Sequence, residues 1–299
     1  MPGLPLPVVP TVIIAAMIAT VMVWNAFVGL SLTPALYAVF APAALLSVVA
    51  GWIRLRRGEA RLFEAALYLA LWSIWPPVCV WLAYLSVTVG YQLQDNALAA
   101  ADAALGFHWI YLAQFIEGVP GLSSVLHFVY LSPLWQFAVS AVVLARLAPG
   151  GRNGELLTHM LLAMTLSLVI GTFVPAIGPA AAYGFGPEPE AIIHALRSGS
   201  SLTLPYAGIV SFPSFHTVMA VLFTYAHRYI DRTFYYVLAL NILMLVATLY
   251  NGDHYLLDMF AGFLVACGTI LVTAVATRRV QATRRPVLAA AREPSSAAI

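Results

Sequence analysis

Arginines divide this chain into long apolar runs that water cannot hold. Stretches such as Val12–Val23 and Leu264–Val275 carry no charge at all, and over the 299 residues 62% are hydrophobic and 9% charged, against about a quarter charged in an ordinary soluble domain. Each interval is long enough for the ~20 residues with which a helix crosses a bilayer's hydrocarbon core. Inside that core the backbone must bond to itself, which leaves helices or a closed barrel. A barrel needs alternating segments of about 10 residues, and these runs do not alternate. The expected fold class is all-α, a polytopic membrane helical bundle.

Charges and helix breakers mark eight expected spans, at 9–30, 34–53, 63–89, 122–145, 155–174, 213–230, 233–250 and 255–277. Pro76-Pro77 should kink or break the third. The segment 90–121, with Asp95, Asp102 and Glu117, is too charged to span and reads as short amphipathic helices in the interface. The Gly- and Pro-rich 175–212 reads as a long ordered loop, and the Arg-, Ala-, Pro- and Ser-rich tail after Thr277 as disordered. No signal peptide is evident at Met1–Pro10. Cys79 and Cys267 fall inside apolar runs and are expected as reduced thiols.

Positive residues near span ends favour the cytoplasm. Arg54, Arg56, Arg57 and Arg61 follow the second span, Arg146 and Arg152 the fourth, Arg228 and Arg232 the sixth, and Arg278, Arg279, Arg284, Arg285 and Arg292 the eighth. This phase puts both termini in the cytoplasm and puts 90–121, 175–212 and 251–254 outside. All fourteen Lys+Arg residues are arginines, and Arg197 is the one basic side chain expected outside. The basic residues follow apolar spans, so they report topology and give no nucleic-acid surface.

Two segments place ionisable groups at the expected outer ends of spans. Ser211-Phe212-Pro213-Ser214-Phe215-His216-Thr217 opens the sixth span, and Asn251-Gly252-Asp253-His254-Tyr255-Leu256-Leu257-Asp258 opens the eighth. The first is a candidate anion cradle, because a helix N-terminus presents unpaired N–H groups and Pro213 suits a first turn. His254 and Asp258 share a helix face by their spacing, so Asp258 could fix the imidazole tautomer that a nucleophilic histidine requires. His216 would then donate a proton to the leaving oxygen, and Arg197 would meet the non-bridging phosphate oxygens. Each residue also has a plainer role open to it. His254 and Asp258 would equally make a structural pair, Arg197 would pin its loop through Glu188 or Glu190, Asp253 would be a helix N-cap, and Ser214 and Thr217 would bind oxyanion or backbone. His108, His127, His159, His194 and His227 read as interfacial.

At this point the residues resemble the type-2 phosphatidic acid phosphatase superfamily, and within it the branch that includes fungal inositol phosphorylceramide synthase. The resemblance rests on Pro213-Ser214-Phe215-His216 and on His254-x-x-x-Asp258, with Gly171–Tyr183, Leu196-Arg197-Ser198-Gly199 and Asp95–Trp109 adding to it over about 90–265. It implies a six-helix catalytic core, no metal or other cofactor, and a phosphohistidine on His254, with His216 as acid, Asp258 as orienter, and Arg197, Ser214 and Thr217 as phosphate binders. The chain departs from the wider pattern in having no lysine, Thr248 six residues before His254 where an arginine is usual, and Phe215 where phosphatases have glycine. The missing cations make a pyrophosphate substrate less suitable.

The expected organisation is two N-terminal transmembrane helices (1–60), a catalytic membrane core (61–277) and a cytoplasmic tail (278–299), in a bacterial inner membrane. The expected activity is a lipid phosphatase or phosphotransferase acting on a phospholipid-type phosphoester, with an alcohol or lipid acceptor as a further partner and no nucleic acid. A polyprenyl phosphate phosphatase is one alternative. A lipid transporter or scramblase is the rival from another class, although such proteins place ionisable groups near the midplane and show internal repeats.

Overall fold

The structure, a computed structural model, describes residues 8–30, 40–56, 59–148, 151–183, 189–198, 209 and 211–290. Thirteen helices and no strand occur among the described residues. The first three are α1 (Val8–Val28), α2 (Phe40–Leu55) and α3 (Ala60–Val87), followed by the short α4 (Asp95–Ala104), α5 (Trp109–Glu117) and α6 (Leu122–Tyr130). Next come α7 (Pro133–Leu147), α8 (Arg152–Phe173), α9 (Pro179–Ala182) and α10 (Pro189–Arg197), and the chain closes with α11 (Phe215–Ala226), α12 (Asp231–Asn251) and α13 (Leu256–Ala290).

Five helices are long and apolar enough to cross a membrane: α1, α3, α8, α12 and the Leu256–Arg278 part of α13. The pair α5 and α6, bent by 120°, makes a sixth if counted as one span. The other three expected spans correspond to α2, α7 and α11, of 16, 15 and 12 residues. At 1.5 Å per residue α11 is only about 18 Å long, short of the ~30 Å core. The expected single span 122–145 divides at Leu131-Ser132, because Pro133 has no N–H with which to continue the helical ladder and is well suited to open a new helix at its own position; it stands in the first turn of α7, and Ser132 before it keeps right-handed helical angles. Pro76 and Pro77, by contrast, do not break α3, which runs on through both. Two further expectations are corrected. The loop 175–212 contains the helices α9 and α10, and α13 continues as helix past Thr277 to Ala290.

The bundle is organised around α3 and α11. Of the apolar window of α3, 61% is buried, against 17% for α1, so α3 is central and α1 lies at the periphery. Short α11 packs against α7, α8, α12 and α13, and its Val218, Leu222 and Phe223 are fully enclosed. One end of the bundle carries the arginines. Arg152 and Arg228 both bond Glu155, at 3.0 and 2.6 Å, which ties the start of α8 to the end of α11. Beside them Asn153 Nδ2 donates to Glu64 Oε1 and to the Ala141 carbonyl, joining α8 to α3 and α7. His159 and His227 are not interfacial: both are buried, His159 Nε2 lying 2.6 Å from Thr273 Oγ1 and His227 Nδ1 2.9 Å from the Phe223 carbonyl. Cys79 and Cys267 are free thiols. The opposite end holds the histidines singled out from the sequence.

Candidate active site

Two aspartates of the short helix α4 assemble the frame. Asp95 accepts from the backbone N–H groups of Ile177 and Gly178, each at 3.0 Å, and from the Tyr255 hydroxyl at 3.0 Å. Asp102 accepts from Leu256 N at 2.8 Å and Leu257 N at 3.3 Å. A helix leaves its first N–H groups without intrahelical partners, and here the cap of α13 comes from another helix. Asp253 does not cap it. The connection after α8 is fastened in turn by Gln94 N to Pro175 O and Ser211 N to Ala176 O, both at 2.8 Å. Gly178, with φ +98°, lies so close to the 252–253 backbone that a Cβ would meet the Asp253 carbonyl at 2.6 Å, so only glycine fits there. These contacts hold His254 in the residues just ahead of α13, not on the helix itself.

His254 nevertheless faces Asp258. Its Nδ1 lies 3.7 Å from Asp258 Oδ2, and the two residues are 6% and 0% exposed. Asp258 Oδ2 also accepts from Tyr255 N at 2.9 Å, whereas Asp258 Oδ1 and His254 Nδ1 make no hydrogen bond. With Nδ1 turned to the carboxylate, Nε2 is the nitrogen available for chemistry. His216 stands across from it in the first turn of α11, ring centroids 5.7 Å apart at 65°. The approach of the two helices rests on Gly262, where a Cβ would stand 2.3 Å from the Ser214 carbonyl, and on a hydrogen bond from Ser214 N to Asp258 O at 3.0 Å.

Ser214 is the N-cap of α11, its side chain accepting from Thr217 N while Thr217 Oγ1 donates to Ser214 Oγ at 3.2 Å. Both residues are buried. Pro213 precedes the cap, after a cis peptide bond with Phe212, instead of standing in the first turn. Phe215 packs edge-on against Trp75 of α3 with centroids 5.9 Å apart, and so anchors the turn that carries His216. Arg197 lies at the histidine end of the bundle on the rim. Its Nε donates to Val87 O at 3.2 Å and its Nη2 to Tyr91 O at 2.5 Å. It borders a cavity of about 410 Å³ lined by Leu93, Ile193, His194, Arg197 and Ser198, which does not include the two histidines. Its expected alternative partner Glu188 lies outside the described residues, as does the side chain of Glu190. Thr248, in the usual place of an arginine, is fully buried and donates to Met244 O within α12.

The surroundings are acidic. Burial pushes the Asp102 carboxyl up, and its two backbone amide bonds pull it back. Burial and the Asp95 carboxylate also push the Tyr255 phenol far up, so it remains a donor. Asp102→Ala, which strips both acceptors from the first turn of α13, is expected to lower stability by about 1–2 kcal/mol. The check is a thermal melt in detergent against wild type.

Some residues packed around the two histidines escape a sequence reading. Tyr130 stacks on His216 with centroids 4.2 Å apart and donates to Asp253 Oδ2 at 2.5 Å, although its sequence context is only another apolar helix. Trp109 donates through Nε1 to Leu249 O and Tyr250 O. The signal that could have found Asp95 and Asp102 was available. They are acids in a segment with no basic residue nearby, and they face helix N-termini and loop amides that need acceptors.

Fold and site thus define a polytopic helical membrane protein with paired histidines, one backed by a buried carboxylate, at one end of the bundle. The profile described as PAP2 superfamily matches residues 96–272, more than half of the chain, and the protein belongs to that superfamily. Membership supports a phosphatase-type lipid phosphoesterase. No curated protein and no solved structure matches the chain.

Proposed function

We propose that His254 Nε2 attacks the phosphorus of a phospholipid-type ester at the extracytoplasmic face of the membrane. The bond from phosphorus to the leaving oxygen breaks, its electron pair stays on that oxygen, and protonated His216 supplies the proton that completes the leaving alcohol. The phosphorylated His254 then passes its group to water or to an alcohol, whose proton returns to neutral His216. Asp258 orients the His254 ring. The observation that carries this reading is the 5.7 Å approach of the two imidazoles with Asp258 behind one of them, a spacing that lets both reach one phosphorus centre from opposite sides. The 3.7 Å gap is longer than a hydrogen bond, and such contacts often tighten only when substrate binds.

Charge supports the finer reading. Exposed Asp253 adjoins His254, and the first two amides of α13, which would otherwise attract an anion, are taken by Asp102. A phosphodiester carries one negative charge and suits such a site better than a dianionic monoester or a pyrophosphate. Arg197, the arginine at the histidine end among the described residues, contributes its charge from the rim, where Nε and Nη2 are held by the Val87 and Tyr91 carbonyls, while Ser214 and Thr217 hold the α11 turn that carries His216. A diester donor and an alcohol acceptor would make the enzyme a transferase of the inositol phosphorylceramide synthase kind.

The test incubates purified protein with phosphorus-labelled phosphatidate, phosphoinositide or polyprenyl phosphate, with and without ceramide or diacylglycerol. A labelled lipid product dependent on acceptor supports transfer, and labelled water-soluble phosphate supports hydrolysis. Release of neither from any of the three lipids would overturn the proposal.

A further inference from the structure

Tyr130 belongs to neither of the histidine segments, yet its ring is the aromatic group stacked on His216, centroids 4.2 Å apart and planes 24° from parallel. Its hydroxyl is fixed on the far side by Asp253 Oδ2 at 2.5 Å. One turn earlier on α6, His127 Nδ1 lies 3.2 Å from Asn251 Oδ1. The helix before it is tied to the same region: Trp109 Nε1 donates to the Leu249 and Tyr250 carbonyls, and the Tyr250 hydroxyl donates to Glu117. The bent pair α5 and α6 is therefore docked on residues 249–253, immediately ahead of His254, and it presents one aromatic face to the other histidine.

The two contacts of Tyr130 differ in consequence. The hydrogen bond fixes the height and tilt of the phenol ring, because Asp253 sits on the backbone segment that carries the nucleophile. The stack transmits that position to the imidazole, since parallel rings in van der Waals contact resist rotation about the His216 side-chain torsions. His216 itself makes edge contact with His254. Its ring thus lies between a face that restrains it and the nucleophile it must serve.

We infer that Tyr130, locked by Asp253, is a positioning residue for His216. It sets the orientation in which the acid meets the leaving oxygen, and it couples the placement of acid and nucleophile, because the 253–254 backbone fixes both. Tyr130 transfers no proton itself: its contact with His216 is through ring faces, not through its hydroxyl. The inference rests on the role of His216 as general acid given above.

A general acid matters most when the leaving oxygen is strongly basic and hardly at all when the leaving group is a stabilised phenolate. Loss of its positioning must follow the same rule, whereas general damage to the fold would slow every substrate alike. The experiment compares dioctyl phosphate with octyl p-nitrophenyl phosphate, and octyl phosphate with p-nitrophenyl phosphate, using full-length protein in detergent. Tyr130→Leu is expected to lower kcat/KM, which reports formation of the phosphorylated His254 and not the shared return of its group to water, about tenfold or more for the alkyl leaving group and to leave that of the p-nitrophenyl ester within about threefold. Asp253→Ala, at an exposed position, frees the hydroxyl but keeps the stack, and is expected to give the same pattern at smaller amplitude. Tyr130→Phe should match Asp253→Ala. Equal losses on both leaving groups, or no loss in either Tyr130→Leu or Asp253→Ala, would overturn the inference. His216→Ala separates the two levels of argument. If it spares the p-nitrophenyl esters selectively and Tyr130→Leu does not, the acid assignment stands and the positioning fails. If His216→Ala lowers kcat/KM of both esters equally, or wild type turns over neither pair, the underlying reading fails and the positioning role goes with it.

Discussion

His254→Ala is expected to lower turnover by roughly 10⁴-fold or more, the scale on which removal of a covalent nucleophile disables other enzymes, while leaving the protein folded. Both halves of that expectation come from the same contacts. The ring's Nδ1 makes no hydrogen bond and stands 3.7 Å from Asp258, so deleting it takes away no cap, ladder or network that holds the bundle together. Asp258 keeps its bond from Tyr255 N, and the frame through Asp95 and Asp102 does not involve the imidazole. The melting temperature should therefore stay close to wild type. Rapid quenching of wild type with phosphorus-labelled phospholipid should trap acid-labile, base-stable label on the protein, and the variant should carry none. Label persisting on His254→Ala at the wild-type level would move the nucleophile elsewhere and end the phosphohistidine reading. His216→Ala supplies the contrast, because it removes the proposed acid but not the proposed attacking atom. It should still accumulate label from a p-nitrophenyl ester.

The parts of this protein legible in the sequence are those governed by local rules. Uncharged runs announce helices in hydrocarbon, and all eight expected spans correspond to helices among the described residues, although α7 and α11 are too short to cross alone. The error at 122–145 has a local cause that hydropathy averages over: Pro133 divides an apolar run whose mean polarity does not change. The tail was misread because its Arg and Ala content suits an exposed helix as well as a disordered segment, and α13 extends to Ala290. His216, His254 and Asp258 stand out because a polar group in an apolar run needs a reason to be there, and the structure brings the three together. Residues that act across the fold gave no such signal. Asp253 looks like a helix cap by position, yet the cap comes from Asp102, more than a hundred residues away in the chain. Tyr130 is one of fourteen tyrosines, and only its neighbours in space distinguish it. Spacing placed His254 and Asp258 on one helix. In fact the helix starts after His254, and the pair meets across its first turn, where Tyr255 N donates to the same Asp258 oxygen that His254 Nδ1 approaches.

The second large effect is expected from a single methyl group. Gly262 of α13 faces α11 so closely that a Cβ would stand 2.3 Å from the Ser214 carbonyl oxygen and 3.1 Å from Thr217 Cβ. The first of these is backbone and cannot swing aside, so Gly262→Ala must push the two helices apart by about 1 Å. Ordinary overpacking of this kind costs about 1–3 kcal/mol. Catalysis should suffer more than stability, because the same interface carries the Ser214 N to Asp258 O bond, the Ser214 cap that holds the turn of His216, and the carboxylate behind His254. A displacement of about 1 Å between reacting groups is enough to cost about 10²-fold in rate, and here the proposed acid, nucleophile and orienter all shift together. Turnover of Gly262→Ala should accordingly fall about 10²-fold or more, with a melting temperature only several degrees lower. Gly268 lies on the same helix with nothing within 4 Å of its Cβ position, so Gly268→Ala tests helix propensity alone and should leave turnover unchanged. Were Gly262→Ala to turn over substrate within threefold of wild type, the close contact of α11 and α13 would not be what sets the distance between the two histidines.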